Sequence, residues 1–265
     1  MSYPRLALGF VACMAAGPVL GHEFWIEPVD YTLDPGAPVI AELKNGQEFV
    51  GNTLSYFGPR ITRFDMIRGN DVVAVMGRAG DIPAMTMDAP AEGLWSIVHE
   101  TRPQKLTYDS WDKFAAFAEH KDFPDIAARH EARGLPREGF GETYTRHVKS
   151  LVAIGSGLGS DVISGMETEF VALLNPYTDA LDAGLPVRLL YQGAPREDAQ
   201  VEIFDRAPDG AVAISTLRTD DTGTALIPVQ PGHEYLLDAV VLRPAPDSAP
   251  EVWQSLWAGL TFAVP

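Results

Sequence analysis

The sequence predicts a mainly β protein, with two antiparallel β-sandwich domains of immunoglobulin-like or related type and a short helical insert. Short apolar alternations separated by Pro and Gly turn signals occur in the first half and again in the last hundred residues. Between them the apolar spacing becomes helical. These patterns divide the chain into five predicted segments: a signal peptide (1–21), an N-terminal sandwich (22–107), a helical insert (108–134), an extended segment with a Gly-rich loop (135–167) and a C-terminal sandwich (168–265).

The first 21 residues have the order of a cleaved secretory signal. Arg5 precedes an apolar run from Leu6 to Ala16 that is too short to span a bilayer, and Gly21 is a suitable residue before a cleavage site. Two alternatives stay open, namely a buried helix of a cytosolic protein and lipidation at Cys13. The sequence therefore predicts a soluble, periplasmic protein.

The N-terminal sandwich is predicted from strands that alternate with turn signals. The expected strands are Pro38–Leu43, Ile61–Ile67, Val72–Met76 and Leu94–His99. The expected turns are Pro35-Gly36, Asn45-Gly46, Gly58-Pro59 and Gly69-Asn70.

The helical insert is predicted from its capping residues and its apolar face. Ser110 is placed to cap a helix whose apolar face includes Trp111 and Phe114, and a second helix ends at Gly134. The following 142–154 reads as extended. The loop 155–159 has no P-loop lysine and no following helix, so it does not predict phosphate binding.

The C-terminal sandwich is predicted from strands with clear alternation and well-marked turns. The expected strands are Leu185–Leu190, Ala199–Phe204, Ile214–Arg218, Ala225–Val229 and Tyr235–Leu242. The expected turns are 192–195, 219–223 and 231–232.

Charge and motif content restrict the classes of function. The formal net charge is −16, which argues against nucleic acid and against anionic membrane surfaces as partners. Beyond the signal no stretch approaches 18 consecutive apolar residues, so we expect no membrane span in the mature chain. We find neither a Ser/His/Asp context nor a Gly-x-Ser-x-Gly motif, and we predict that the protein is not an enzyme.

Cleavage after Gly21 would make His22 the first residue, and its α-amine and ring would then chelate a metal together. Without a thiolate in the mature chain, nitrogen and carboxylate ligands favour copper(II), then nickel(II) and zinc(II). His147 is the favoured additional ligand and His99 the next. Further oxygen ligands, or groups that orient a ring, are expected from two nearby carboxylates, Glu23 and Glu27.

Other interpretations of the histidines stay open. His22 could belong to a frayed terminus and His147 to a solvated strand. The remaining histidines are expected at the surface of the helical insert (His120, His130) and in a turn (His233).

Three segments carry a resemblance to a known family: 22–28, 144–151 and 253–262. Together they resemble the exported bacterial domain family of unknown function 4198, which is related to the periplasmic nickel-uptake component NikM. The segments 193–201, 219–223 and 231–235 also look like the prealbumin-like repeat of carboxypeptidase regulatory domains. The resemblance implies two β-sandwiches and a periplasmic, metal-related role.

Three functions follow as hypotheses. The leading one is a periplasmic metal-binding protein that is an accessory to nickel/cobalt or copper uptake, with a metal-uptake transporter as a partner. The second is a non-catalytic binding or scaffold module that contacts a protein or a glycan. The third is an oxidase with a copper histidine brace. The only feature that this chain shares with such enzymes is a histidine as the first residue of the mature chain.

Overall fold

The computed structural model describes residues 22–265, and it confirms a mainly β protein with antiparallel sheets and a short helical insert. The predicted signal peptide and Cys13 lie outside the described residues. No helix among 22–265 is long and apolar enough to cross a membrane.

The elements follow the predicted order. The first group of strands is β1 (Glu23–Pro28), β2 (Thr32–Leu33), β3 (Val39–Gln47), β4 (Val50–Leu54), β5 (Ile61–Arg68), β6 (Asp71–Ala74), β7 (Met85–Met87), β8 (Gly93–Thr101) and β9 (Gln104–Tyr108). The helices are α1 (Trp111–His120) and α2 (Ile126–Ala132). The second group of strands is β10 (Phe140–Ile154), β11 (Thr168–Ala172), β12 (Leu185–Tyr191), β13 (Ala194–Pro195), β14 (Gln200–Arg206), β15 (Val212–Arg218), β16 (Thr224–Ile227), β17 (Glu234–Pro244) and β18 (Trp253–Ala263).

One large sheet runs through the described chain in the order β15-β14-β17-β18-β10-β8-β5-β6, and β2 and β9 also pair with β10. Strands of both predicted sandwiches meet in this central sheet where β10 and β18 pair in parallel. The N-terminal sheet contains β1, β3, β4 and β7, and the C-terminal sheet contains β11, β12, β13 and β16. The predicted domain boundaries stay a prediction, to which the structure adds this shared sheet.

The alternation of β10 shows which layer covers which face of the central sheet. Val148 and Val152 pack with Ile26 and Val39 of the N-terminal sheet. Leu151, one position out of phase, packs with Phe170 and its neighbours in the C-terminal sheet. Because successive strand residues point to opposite faces, the two outer sheets lie on opposite sides of the central one.

The helical insert packs on the same face of the central sheet as the N-terminal sheet does, over a different part of that face. Phe114 and Phe117 of α1 pack against Trp253 and Trp257 of β18. His130 lies in this core rather than at the surface, so that expectation was wrong. Its side chain is buried and its Nδ1 accepts a hydrogen bond of 3.0 Å from the Trp253 indole, an interaction that burial makes valuable.

The turn expected at Asn45-Gly46 is also wrong, because both residues lie within β3. The chain reverses three residues later, where Glu48 and Phe49 have φ of +54° and +60°. Two positive φ values define the hairpin turn that usually prefers Asn-Gly. Phe49 is nevertheless favoured there because its ring is buried 5.5 Å from the Trp25 ring.

Candidate functional site

A cavity of about 680 Å³ lies between the N-terminal sheet and the helical insert, above the central sheet. Its volume is within the range of pockets that hold small molecules. One wall is formed by β1, β3 and β4, and the other by β9 and α1. The floor is formed by side chains of the central sheet: His99, Thr101, Glu142, Tyr144, Arg146 and Trp257.

His22 stands at the entrance of this cavity, immediately before β1. It is exposed, it lines the cavity, and it is two residues from Phe24, so both side chains belong to the same side of the strand. Its carbonyl oxygen accepts a hydrogen bond of 2.5 Å from Nη2 of Arg146. The start of the described chain is therefore attached to the cavity floor.

His99 lies on the cavity floor in β8, opposite Phe64 of β5. Its ring centroid is 5.3 Å from that of Phe24 and 5.0 Å from that of Phe64. Both ring nitrogens are buried, and no described residue offers either of them a hydrogen bond. Burial lowers the pKa of His99 to about 3, so the imidazole is neutral at physiological pH, as metal coordination requires.

His147 points away from the cavity. Its neighbour Val148 packs with the N-terminal sheet, so alternation along β10 turns His147 toward the C-terminal sheet. Burial lowers the pKa of His147 to about 4, and its Nδ1 has no hydrogen-bond partner among the described residues. The structure thus brings His22 and His99 to one cavity and places His147 on the other face of the sheet.

The two carboxylates expected to assist His22 also lie on the opposite side of their strand. Glu23 contacts the ammonium of Lys121 at 3.1 Å. Glu27 accepts a 2.7 Å hydrogen bond from the Trp25 indole and contacts Arg206 at 3.1 Å. Both carboxylates therefore have partners, and they lie away from the cavity side of β1.

The Lys121 cluster joins the end of α1 to three strands. The ammonium of Lys121 contacts carboxylate oxygens of Glu23 at 3.1 Å, Glu202 at 2.6 Å and Asp238 at 2.8 Å. Burial acts to lower the pKa of Lys121, but the three carboxylates together raise it. Burial also raises the pKa of Glu23 and of Asp238.

The same cluster contains one group of side chains with a geometry suited to a metal ion. Ligand atoms of Glu23, His120 and Glu202 lie within 4.8 Å of one another. However, the ammonium of Lys121 already contacts both carboxylates, and Glu202 also lies 3.1 Å from the His120 ring. Because the ammonium already bridges these carboxylates, where a metal ion would have to bind, we interpret the group as a structural ion cluster.

Arg146 is the cation of the cavity floor, and like His99 it has a buried nitrogen without a hydrogen-bond partner among the described residues. Its guanidinium carbon lies 3.7 Å from the Trp257 ring centroid and 5.3 Å from that of Tyr144. No described carboxylate forms an ion pair with it, and its Nη1 is buried without a hydrogen-bond partner. Burial lowers the pKa of Arg146, because the charge is held away from water.

Glu142 is the carboxylate of the cavity floor. It accepts a 2.7 Å hydrogen bond from the Tyr108 hydroxyl and a second one from the Ser255 hydroxyl. The Trp257 indole donates to Ser255 Oγ at 2.9 Å, which extends the chain of hydrogen bonds. Burial raises the pKa of Glu142 above its usual value, although the hydrogen bonds from Ser255 and Tyr108 and the charge of Arg146 act to lower it.

Sequence reasoning missed Arg146 and Lys121 as important residues. The available signal for Arg146 was its place in a long extended segment, where alternation puts Arg146 and Val148 on one face. A charged residue in phase with buried apolar ones indicates a buried cation. Lys121 gave no such signal, because the end of a helix is an ordinary position for lysine.

Comparison with known proteins identifies one family. Residues 19–243 match the model of a family described as a domain of unknown function, DUF4198. No curated protein matches the chain.

Proposed function

This chain belongs to the DUF4198 family, and from that premise we propose that it is a periplasmic metal-binding protein. It holds one divalent transition metal, copper or nickel, in the cavity between the N-terminal sheet and the helical insert. His22 and His99 supply the nitrogen ligands.

The observation that carries the proposal is the joint position of the two histidines. His22 and His99 line the same cavity, and both ring nitrogens of His99 are buried without a partner. A buried polar atom that lacks a hydrogen bond costs about 1–3 kcal/mol, so a structural histidine is normally given a partner. Coordination of a metal would satisfy one of these nitrogens.

The expected leader cleavage would complete the site. After cleavage at Gly21, the α-amine and ring of His22 supply two nitrogens, and His99 supplies a third. The hydrogen bond from Arg146 to the His22 carbonyl fixes the backbone to which both His22 donors are attached. Because the His99 nitrogens are sealed from water, we expect coordination to require movement of the neighbouring Phe24 ring, 5.3 Å away.

The biological role that fits this site is an accessory to nickel/cobalt or copper uptake or handling. The formal net charge of −16 attracts cations toward the protein as a whole. The partner would be a metal-uptake transporter, which follows from the expected relation of the DUF4198 family to the nickel-uptake component NikM. In this role the protein binds the metal ion and catalyses no reaction.

The experiment is a metal titration of a chain whose N-terminus has been determined. Intact mass and N-terminal sequencing of the exported protein establish whether it begins at His22. Calorimetric titration with copper(II) and nickel(II) is then expected to show about one ion per chain. A variant that retains Gly21 before His22 is expected to bind at least about tenfold more weakly, because its α-amine is displaced from the chelate.

Matched histidine variants locate the ligands. His99→Asn is expected to weaken binding at least about tenfold, whereas His147→Asn leaves it unchanged because that ring faces the C-terminal sheet. Binding no tighter than about millimolar in the mature chain would reject the proposal. Metal-independent capture of a periplasmic protein or glycan would favour the scaffold hypothesis, and peroxide production by the copper-loaded protein with a reductant would favour the oxidase.

A further inference from the structure

The cavity has a charge opposite to that of the whole protein. The chain has 36 acidic and 20 basic side chains. Among the described residues, by contrast, the cavity is lined by four lysine or arginine side chains and one carboxylate. The cations are Arg60, Lys105, Lys113 and Arg146, and the carboxylate is Glu142. A cavity with this balance attracts a negatively charged ligand.

Arg146 shows where one negative group of that ligand would bind. Its side chain is 8% exposed, and its Nη1 has no hydrogen-bond partner among the described residues. A buried guanidinium is normally paired with a carboxylate or phosphate, which its planar set of donors matches. Here the Glu142 oxygens accept from Tyr108 and Ser255 instead. Arg146 therefore forms no ion pair with a described residue, although the charges of Asp238, Glu23 and Glu142 act on it from a greater distance.

The other cations are distributed around the cavity rather than gathered at one point. Arg60 follows β4, Lys105 lies on β9 and Lys113 lies on α1. Arg60 and Lys113 form no ion pair within the described part of the chain, while Lys105 contacts Glu251 at 2.7 Å. This distribution fits a molecule with several separated negative groups better than a single compact anion.

The remaining surface of the cavity fits an apolar body. Aromatic rings of Phe24, Phe57, Phe117 and Trp257 line it. Such rings contribute apolar contact area and favour offset or edge contacts with a planar group. A volume of about 680 Å³ is also far more than a bare metal ion requires.

We propose that this cavity binds a small organic polycarboxylate with a planar or apolar body, one of whose carboxylates pairs with Arg146. This inference goes beyond metal binding and does not depend on it, since the recognition elements are cations and aromatic rings. It also explains how a cavity with four cations could accept a metal cation. A bound polycarboxylate would neutralise part of the surrounding positive charge and so strengthen the binding of a metal ion at His22 and His99.

The test uses the metal-free mature chain and three probes of similar shape. Benzene-1,3-dicarboxylate is expected to bind with a submillimolar dissociation constant that weakens as salt is added, as ionic binding does. Benzene-1,3-dimethanol, which has the same body and no charge, is expected not to bind. The nickel complex of pyridine-2,6-dicarboxylate tests whether the anion is also accepted as a chelate.

Two sets of variants assign the recognition to the cavity. Arg146→Gln is expected to weaken benzene-1,3-dicarboxylate binding at least about tenfold. The double variant Arg60→Gln/Lys113→Gln, whose positions are exposed, is expected to weaken it as well and decides the matter if Arg146→Gln does not fold. Arg78→Gln is the control, because Arg78 is exposed and lies outside the cavity.

Either of two results would overturn the inference. One is no binding of the dicarboxylate below about millimolar, and the other is equal binding of the uncharged diol. Because benzene-1,3-dicarboxylate is tested without metal, its failure would not affect the proposed metal site. A failure of copper and nickel to bind would equally leave the anion site intact.

Discussion

Lys121 and Arg146 are two buried cations that contact the same indole ring and differ in their ion pairing. The Lys121 ammonium lies 5.0 Å from the Trp257 ring centroid, and the Arg146 guanidinium carbon lies 3.7 Å from it. Lys121 contacts three carboxylates, whereas Arg146 forms no ion pair with a described residue and has an unpartnered nitrogen. The two cations are therefore buried to a similar degree, but one has ion-pair partners and the other has none among the described residues.

The difference distinguishes a structural cation from one that is ready for a ligand. Lys121 is surrounded by acceptors from β1, β14 and β17, and it holds the end of α1 to these strands. Its charge is neutralised within the protein, so it needs nothing from outside. Arg146 keeps donor capacity facing a cavity, and in this respect it resembles His99. Unsatisfied buried groups that gather around one cavity indicate a binding site.

The largest expected effect is the loss of stability on removing the satisfied cation. Lys121→Met leaves Glu23, Glu202 and Asp238 buried without their counter-ion. Removal of one partner from a buried ion pair costs about 3–5 kcal/mol, and we expect the free energy of unfolding to fall by at least that amount. Urea denaturation followed by circular dichroism measures it.

The control for this change is Lys113→Met on the same helix, where the side chain is exposed and expected to alter stability by less than about 0.5 kcal/mol. If Lys121→Met were as mild as the control, the ion cluster would have no structural role. The group of Glu23, His120 and Glu202 would then return as a candidate metal site.

A smaller effect is expected when the unsatisfied cation is removed. Arg146→Gln loses the contact with the Trp257 ring and the hydrogen bond to the His22 carbonyl, but it also removes a buried charge that lacks an ion pair. These contributions oppose each other, so we expect the free energy of unfolding to change by no more than about 1–2 kcal/mol. The same urea denaturation measures it. A loss as large as that of Lys121→Met would mean that Arg146 is structural and would remove the contrast between the two cations.

Much of the fold could be predicted because it depends on local patterns. Alternation and turn residues located most strands, and the positions of Ser110 and Gly134 located the helices, although the Ser110 side chain makes no capping hydrogen bond. The turn at Glu48-Phe49 could not be predicted, because burial of the Phe49 ring against Trp25 outweighs the preference of Asn45-Gly46 for turns. The parallel pairing of β10 with β18 was equally hidden, since it joins strands that are far apart in the sequence.

The candidate site was predictable only in part for the same reason. The position of His22 behind the predicted signal peptide pointed to the metal hypothesis, but a local pattern could not rank His99 and His147. Which of them shares a cavity with His22 depends on the strand register, which decides the face of the sheet that each ring occupies. Arg146 was missed because its lack of a partner is a property of the assembled core.

The smallest expected effect is a difference in pH dependence between two buried carboxylates, one at each of the contrasted sites. Burial raises the pKa of Glu142 above its usual 4.5. For Glu202, burial also acts to raise the pKa, but the hydrogen bond from His120 and the charge of Lys121 outweigh it and lower the pKa below 4.5. A carboxyl with a raised pKa stabilises the native state fully below its unfolded pKa, and this contribution is lost as pH rises through the native pKa. A carboxyl with a lowered pKa contributes above the unfolded pKa and loses that contribution as pH falls.

The variants Glu142→Gln and Glu202→Gln should therefore diverge from the wild type in opposite directions. As pH rises above 4.5, the free energy of unfolding of Glu142→Gln should increase relative to that of the wild type, because the variant has no carboxyl to ionise. As pH rises toward 4.5 from below, the free energy of unfolding of Glu202→Gln should instead fall relative to that of the wild type, because the wild type gains the interaction of an ionised Glu202 with Lys121. Above 4.5 this second difference no longer changes. Urea denaturation at intervals between about pH 3 and pH 8 measures both differences. Parallel curves for the two variants would show that the cavity carboxyl and the lysine-paired carboxyl have the same environment. In that case, the division of this protein into a satisfied ion cluster and an unsatisfied cavity would be wrong.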